Sequence, residues 1–328
     1  MTPHARRAAA ALTAALLTAG AACQAHDPSS RQAGGPAAAP ATRGFTLVAS
    51  GDVLPHAPVI EQAKADAGGI GYDFRPMLAA AEPVVSRADV AICHLETVFG
   101  EDGDYSGYSA FVSPPQVALG LAAIGYDGCS TASNHALDYD TAGIHSTLNA
   151  LDRAGVQHTG SARLAPEAAA PAMFHADGAQ VAHLAYTHDI NGRPLPAGEP
   201  WAVNLIDRDR IVADARAARA AGADVVVVSL GWGTEWQDEP DAQQLRLSRE
   251  LTASQTKGRP DIDLILGTRA HVPQPYEKVN GTWVVYGLGD QIAGGWPTGK
   301  ASATRADRRA PSAASPSPRP PARESAGR

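Results

Sequence analysis

Between residues 45 and 292, short apolar runs alternate with longer amphipathic stretches. Segments 45–50, 88–95, 126–131, 181–186, 225–230, 262–266 and 283–288 read as buried strands. The four consecutive valines at 225–228 fit a strand covered on both faces, where alternation with polar residues is lost. Residues 116–124, 142–154 and 208–221 carry helical patterns that stop before Gly125, Gly155 and Gly222. Glycine takes the left-handed conformation that ends a helix at little steric cost. Asp140 and Asp207 are predicted N-caps, because a short carboxylate can accept the unpaired N–H groups of a first turn. The alternation predicts an α/β domain, and in such domains ligands collect at the carboxyl ends of the strands.

Polar clusters follow five of these strands. Gly51-Asp52 follows the first, His94-Leu95-Glu96 the second, and Ser133-Asn134-His135 the third, with Asp138 close behind. Gly231-Trp232-Gly233-Thr234-Glu235 follows the valine run, and Gly267-Thr268-Arg269-Ala270-His271 follows 262–266. Carboxylate, amide and imidazole donors of this kind suit divalent Mn, Fe or Zn. One cluster says little, but five in the same place relative to a strand predict a common rim.

Four stretches carry a family resemblance: Ala49-Ser50-Gly51-Asp52-Val53-Leu54, Ala91-Ile92-Cys93-His94-Leu95-Glu96, the run from Ser130 to Asp138, and Val284-Val285-Tyr286-Gly287-Leu288-Gly289-Asp290. Through them, residues 45–292 resemble the CapA family of bacterial capsule and poly-γ-glutamate synthesis proteins, which is similar to the calcineurin-like metallophosphoesterases. The resemblance implies an α/β fold, a four-layer αββα metallophosphatase-like sandwich in a single domain. It also implies roles: Asp52 and His271 on a first metal, Glu96 bridging to a second, Asn134 on the second, and His135 acting beside the scissile group. Two positions depart from the family pattern. Gly231 and Arg269 stand where histidine ligands of the second metal are expected. Glycine has no donor and a guanidinium does not deprotonate near neutral pH, so the second metal keeps only Glu96 and Asn134, a poor set, and the site is expected to hold a divalent metal as one ion or none. Arg269 is expected to fill the second-metal space, pair with Glu96 and present a fork to an anion, with Glu235 and Trp232 as further ligand-binding candidates.

Composition bounds the remainder. The chain has 328 residues, 44% hydrophobic and 19% charged, and three cysteines, which excludes a small disulfide-stapled fold. Its formal charge of −7 argues against a nucleic-acid binder and splits into +3 on residues 1–43, −15 on 44–298 and +5 on 299–328. Residues 1–22 read as an export signal: Arg6 and Arg7 precede a 15-residue uncharged run that is short for a membrane span. Gly20-Ala21-Ala22-Cys23 resembles a lipobox, so Cys23 is the expected lipid-anchor site, with ordinary signal cleavage and secretion as the alternative. Residues 23–43 read as a flexible tether, 44–296 as the CapA-like domain, and 297–328 as a disordered basic Pro/Ala/Arg-rich tail.

Several residues also have plainer readings. Cys93 and Cys129, each inside a strand pattern, are expected as buried free thiols, with a disulfide as the alternative. His56 is near enough to Asp52 to belong to the site, and His94 reads as an outer residue orienting Glu96. Asp138 reads as a turn-fixing residue, and Trp232, Trp236, Tyr105 and Tyr108 line a groove or simply pack. The function expected is that of an exported envelope protein acting in synthesis or anchoring of an anionic polymer, with metal-dependent hydrolase chemistry. Its expected partners are that polymer or other envelope-biosynthesis proteins, and the membrane through Cys23. The alternatives are a non-catalytic envelope protein that binds polymer or a partner through a degenerate site, and a decayed or frame-shifted gene product.

Overall fold

The computed structural model describes residues 44–101 and 103–295. The expected signal, lipid-anchor Cys23, tether and tail lie outside these residues. Among the described residues, no helix is long and apolar enough to cross a membrane.

Two sheets carry the fold. Five strands form the first: β1 (Leu47–Leu54), β2 (Val90–Leu95), β3 (Gly128–Ser130), β4 (Gln157–Thr159) and, late in the chain, Asp290–Ala293. Six form the second: β5 (Ala172–Ala176), β6 (Ala179–Thr187), β7 (Val225–Gly231), β8 (Leu264–Thr268), β9 (Tyr276–Val279) and β10 (Thr282–Val285). Asp290–Ala293 is therefore β11. The first sheet runs β11-β1-β2-β3-β4 and is parallel throughout. The second runs β9-β10-β8-β7-β6-β5, parallel in its centre and closed by an antiparallel pair at each edge.

Three separate cores define four layers. On the outer face of the first sheet, Val53, Ala91, Cys93 and Leu95 pack with Leu121 of helix Gln116–Ile124 and Ile144, Leu148 and Leu151 of helix Asp140–Ala154. On the outer face of the second, Val226, Val228 and Ile265 pack with Ile211 and Ala215 of helix Arg208–Ala220 and Leu247 and Leu251 of helix Ala242–Thr252. Between the sheets, Val90 and Ile92 meet Phe174, Val181, Val227 and Leu266. Each of these larger side chains contributes roughly 1.5–3 kcal/mol on full burial, which favours a shared interior over two exposed faces. The valine run divides between the two interiors: Val226 and Val228 face helices, Val227 the other sheet. This is the αββα sandwich.

Two helix stops fall where glycine predicts them, with Gly125 and Gly155 as left-handed caps. The third helix ends one residue earlier than expected, at Ala220, with Ala221 as its cap and Gly222 following at positive φ. Asp207 caps its helix by accepting from the Arg210 N–H at 2.8 Å. Asp140 does not cap: it is the first helical residue and Tyr139 occupies the cap position. The pairing of the cysteines also differs from expectation. Cys93 and Cys129 are register partners on β2 and β3 with Cα atoms 4.4 Å apart, and they form a disulfide. Strand pairing brings together two residues 36 apart in sequence, a juxtaposition that neither strand pattern shows alone.

Candidate functional site

A one-residue irregularity in β1 builds the floor of the site. Ala49 pairs with Ile92, yet Asp52, three residues on, pairs with His94, only two residues on. Such a bulge turns the bulged strand by one side-chain phase, so Asp52 joins Ala49 on the face toward the second sheet. Gly51 lies at the bulge, where a Cβ would overlap the Gly289 carbonyl oxygen. The Asp52 N–H donates to that same oxygen at 2.9 Å. The result is a polar row across four parallel strands: Asp290, Asp52, His94 and Ser130 are successive register partners.

The loop after β8 roofs this row. Gly267 permits a backbone approach to Tyr286 that no side chain would allow. Arg269 and His271 then both adopt positive φ, 79° and 59°, a conformation costly for residues with a Cβ. The loop is held by what it binds: the Arg269 N–H points at both Asp52 oxygens, 3.1 Å from each. His271 Nδ1 lies 2.8 Å from Asp290 Oδ1 and 3.4 Å from Asp52 Oδ2, while its Nε2 lies 3.8 Å from Glu96 Oε1. Trp236 stacks on the imidazole with ring centroids 5.0 Å apart.

Burial and like charge make this cluster electrostatically frustrated. Asp52 and Glu96 are fully buried. Desolvation pushes Asp52 up to about 7, with Asp290 adding to the rise and His271 opposing it. Desolvation raises Glu96 well above the carboxylate range, against the pull of His271. Burial disfavours the charged form of His271, but Glu96, Asp290 and Asp52 outweigh it and raise the imidazole to about 10. His94 is pushed down to about 3 by burial and by the neighbouring His271 and His183.

The donor set fits a divalent cation. Asp52, His271 and Asp290 offer ligand atoms within 4.8 Å of one another, as do Asp52, His94 and Glu96. Both oxygens of Glu96 and one of Asp290 are buried without a hydrogen-bond partner, a costly state that a cation would relieve.

Above this cluster opens a cavity of about 310 Å³ lined by Tyr108, Ser109, Asn134, His135, Asn191, Glu235 and His271. Ser133 shapes its wall by donating to the Glu96 carbonyl at 2.9 Å and accepting from the His135 N–H at 2.9 Å. His135 Nδ1 lies 2.6 Å from Asp138 Oδ2, which also accepts from the Phe111 N–H at 2.7 Å. Asp138 thus orients the imidazole at the cavity wall and engages Nδ1, leaving Nε2 as the other ring nitrogen. Asn134 donates to Asn191 at 3.4 Å.

The structure brings Asp52, Glu96, Asn134, His135, Glu235, Arg269 and His271 to one rim. Two expectations are corrected. Trp232 is fully buried, its indole N–H donated to the Tyr286 carbonyl at 2.9 Å and its ring stacked on Tyr286, so it is a core residue and lines no ligand surface. Arg269 does not pair with Glu96: it reaches away, to the Gly233 carbonyl at 2.6 Å, Asp189 at 3.2 Å and Glu235 at 3.7 Å. Its backbone, bound to Asp52, aims the side chain outward. His56 packs edge-on against Phe111, which also contacts His135, and its Nδ1 accepts from the Gly294 N–H at 2.9 Å. Asp290 and Asn191 were not among the expected site residues. Asp290 stood within the Leu288-Gly289-Asp290 stretch as the sequence signal that could have found it.

Residues 46–295 match the family described as "Bacterial capsule synthesis protein PGA_cap". Relatives include the PGA biosynthesis protein CapA of Bacillus subtilis (strain 168), 28% identical over 53% of this chain and 44% of the relative. Another is the "Probable polyglutamine synthesis accessory protein" of Mycobacterium tuberculosis (strain CDC 1551 / Oshkosh), 28% identical over 63% of this chain and 56% of the relative. The chain spans about half the length of these curated relatives. Among solved structures, a 5'-nucleotidase precursor from Thermus thermophilus aligns with a TM-score of 0.41 at 15% identity, over 65% of this chain and 42% of that one.

Proposed function

Since the chain belongs to the PGA_cap family of bacterial capsule synthesis proteins, we propose that it acts in the synthesis or anchoring of an anionic envelope polymer through cation-assisted hydrolysis or transfer. The observation that carries this reading is the buried cluster of Asp52, Glu96, Asp290 and His271 beneath a cavity lined by Asn134 and His135. Asp52, Glu96 and His271 would hold the cation, of the Mn, Fe or Zn kind. Bound there, a divalent cation supplies Lewis-acid stabilisation of charge developing on a phosphate, ester or amide oxygen. The chain's own groups do the rest. Asn134 presents its amide at the cavity wall, and His135, turned by Asp138, presents Nε2 for proton transfer at the leaving atom.

The acidic body, at −15 over residues 44–298, disfavours non-specific adsorption of a polyanion. Recognition of an anionic polymer is therefore local, at the rim where an incoming anion would compete with Asp189 and Glu235 for the Arg269 guanidinium. The Arg6–Cys23 segment supports export and lipid anchoring at Cys23, with secretion as the alternative. A non-catalytic, polymer-binding protein is the second reading, favoured by Gly231 and Arg269 in place of two imidazoles. Hydrolysis of a generic phosphodiester by wild type and Asn134→Ala, with cation content measured in both, separates the two. Cation-dependent turnover that falls in the variant supports the catalytic reading. Cation uptake without turnover supports the binding reading.

A further inference from the structure

We propose that His94 Nε2 is a direct ligand of the cation, which makes the set Asp52, Glu96, His94 and His271. This rests on the cation-binding reading above and adds a ligand to it. Three observations converge on His94. It is the register partner of Asp52 on the neighbouring strand, on the face toward the second sheet, so the sheet itself places the two side chains at one level. Its side chain is buried, 2% exposed, and Nδ1 is engaged by Ser130 Oγ at 2.7 Å. Nε2 is buried without a hydrogen-bond partner. One ring nitrogen of His94 lies within 4.8 Å of carboxylate oxygens of both Asp52 and Glu96, and those Glu96 oxygens are likewise unpartnered.

An imidazole with one nitrogen tethered by an outer hydrogen bond, the other buried and unpaired, and two carboxylates beside the ring is arranged as metal-binding histidines are arranged. A buried nitrogen without a partner is costly, and a bound cation would relieve that cost. His94 lies on the sheet and His271 on the loop after β8, so a cation bound by both would be held from two sides. The set has two nitrogens and two carboxylates, which favours Zn or Fe over Mg or Ca, whose sites are built from oxygen. The chain thus carries an imidazole within its sheet while lacking those expected at positions 231 and 269.

The test is Zn uptake by the full chain, read by competition with a chromophoric chelator and by X-ray absorption counting of imidazole nitrogens on the bound Zn. Wild type is expected to bind one Zn with two imidazoles. His94→Asn is expected to bind with one imidazole and at least tenfold more weakly. Ser130→Ala keeps the imidazole but removes its tether and is expected to weaken binding by roughly tenfold. The wild-type count needs no variant, so a misfolded His94→Asn leaves the proposal exposed to refutation. A single imidazole on wild-type Zn, or unchanged affinity in a folded His94→Asn, overturns the role of His94 and leaves the cation site standing. No Zn uptake by wild type overturns both.

Discussion

Asp52 and Asp290 are register partners on adjacent parallel strands, and the imidazole of His271 lies against both carboxylates. Like charges directly opposite each other in a sheet are destabilising, so this pair persists through the positive group set against it. Asp290→Asn removes the carboxylate nearest to His271 Nδ1. Cation affinity is expected to fall about 10–100-fold, the usual consequence of losing a ligand's outer partner, with the far-ultraviolet circular dichroism unchanged. Isothermal titration of the variant reads the effect directly.

The pKa shifts give the cation-free protein a distinctive pH dependence. Asp52 is raised from 3.8 to about 7, so its contribution to stability is complete below about pH 4 and is lost as pH rises through 7. His271 is raised from 6.5 to about 10, so its contribution is complete below 6.5 and is lost as pH rises through 10. Both slopes have the same sign. A divalent cation binds the forms that high pH favours, ionised carboxylates and neutral imidazole, so the two dependences oppose each other. The gap in Tm between cation-loaded and chelator-treated protein is expected to widen from pH 5 to pH 9. With the cation concentration held fixed and set to a hundredfold excess over Kd at pH 9, the gap there should reach roughly 5–10 °C. A gap that is constant or narrows with pH contradicts the assignment of these groups.

His135→Ala is expected to lower turnover of a generic phosphodiester by about 10²–10⁴-fold, the range for a general acid or base. Cation content should stay at the wild-type level, because His135 lines the cavity above the carboxylates and has Asp138 as its partner. Asp138→Asn is expected to lower turnover less and to shift the pH profile, since it leaves the imidazole present but differently oriented. Equal loss of cation and activity in His135→Ala would place this residue among the ligands instead.

Much of this arrangement was legible in the sequence. The valine run, the glycine helix stops and the Asp207 cap follow from local sterics and hydrogen bonding, and the polar clusters at strand ends do meet at one rim. What stayed hidden depended on strand pairing. The Cys93–Cys129 disulfide, the Asp52–Asp290 opposition and the placement of His94 beside Asp52 are all register facts, and no single strand's pattern encodes its neighbour's register. Trp232 misled because its motif sits at a strand end while its ring turns back into the helix-side core. Arg269 misled because its backbone serves Asp52, which sends the guanidinium the other way.

The combined variant Gly231→His with Arg269→His is expected to raise cation stoichiometry from one to two. Replacing Arg269 frees Asp189 and Glu235 from its guanidinium. A Cβ at position 231 would stand 3.0 Å from Thr187 Oγ1, so the new imidazole requires a shift of a few tenths of an ångström there. Metal analysis of the purified variant reads the outcome. A stoichiometry that stays at one would mean that substitution at 231 and 269 does not restore a second site.

The most direct measurement is the number of Zn or Mn ions that the purified wild-type chain binds, with Asp52→Asn and Glu96→Gln alongside. One tightly held ion per chain is expected, lost or greatly weakened in both variants. No uptake, or two tightly held ions in the wild-type protein, would contradict a single-cation site built on Asp52, Glu96 and His271.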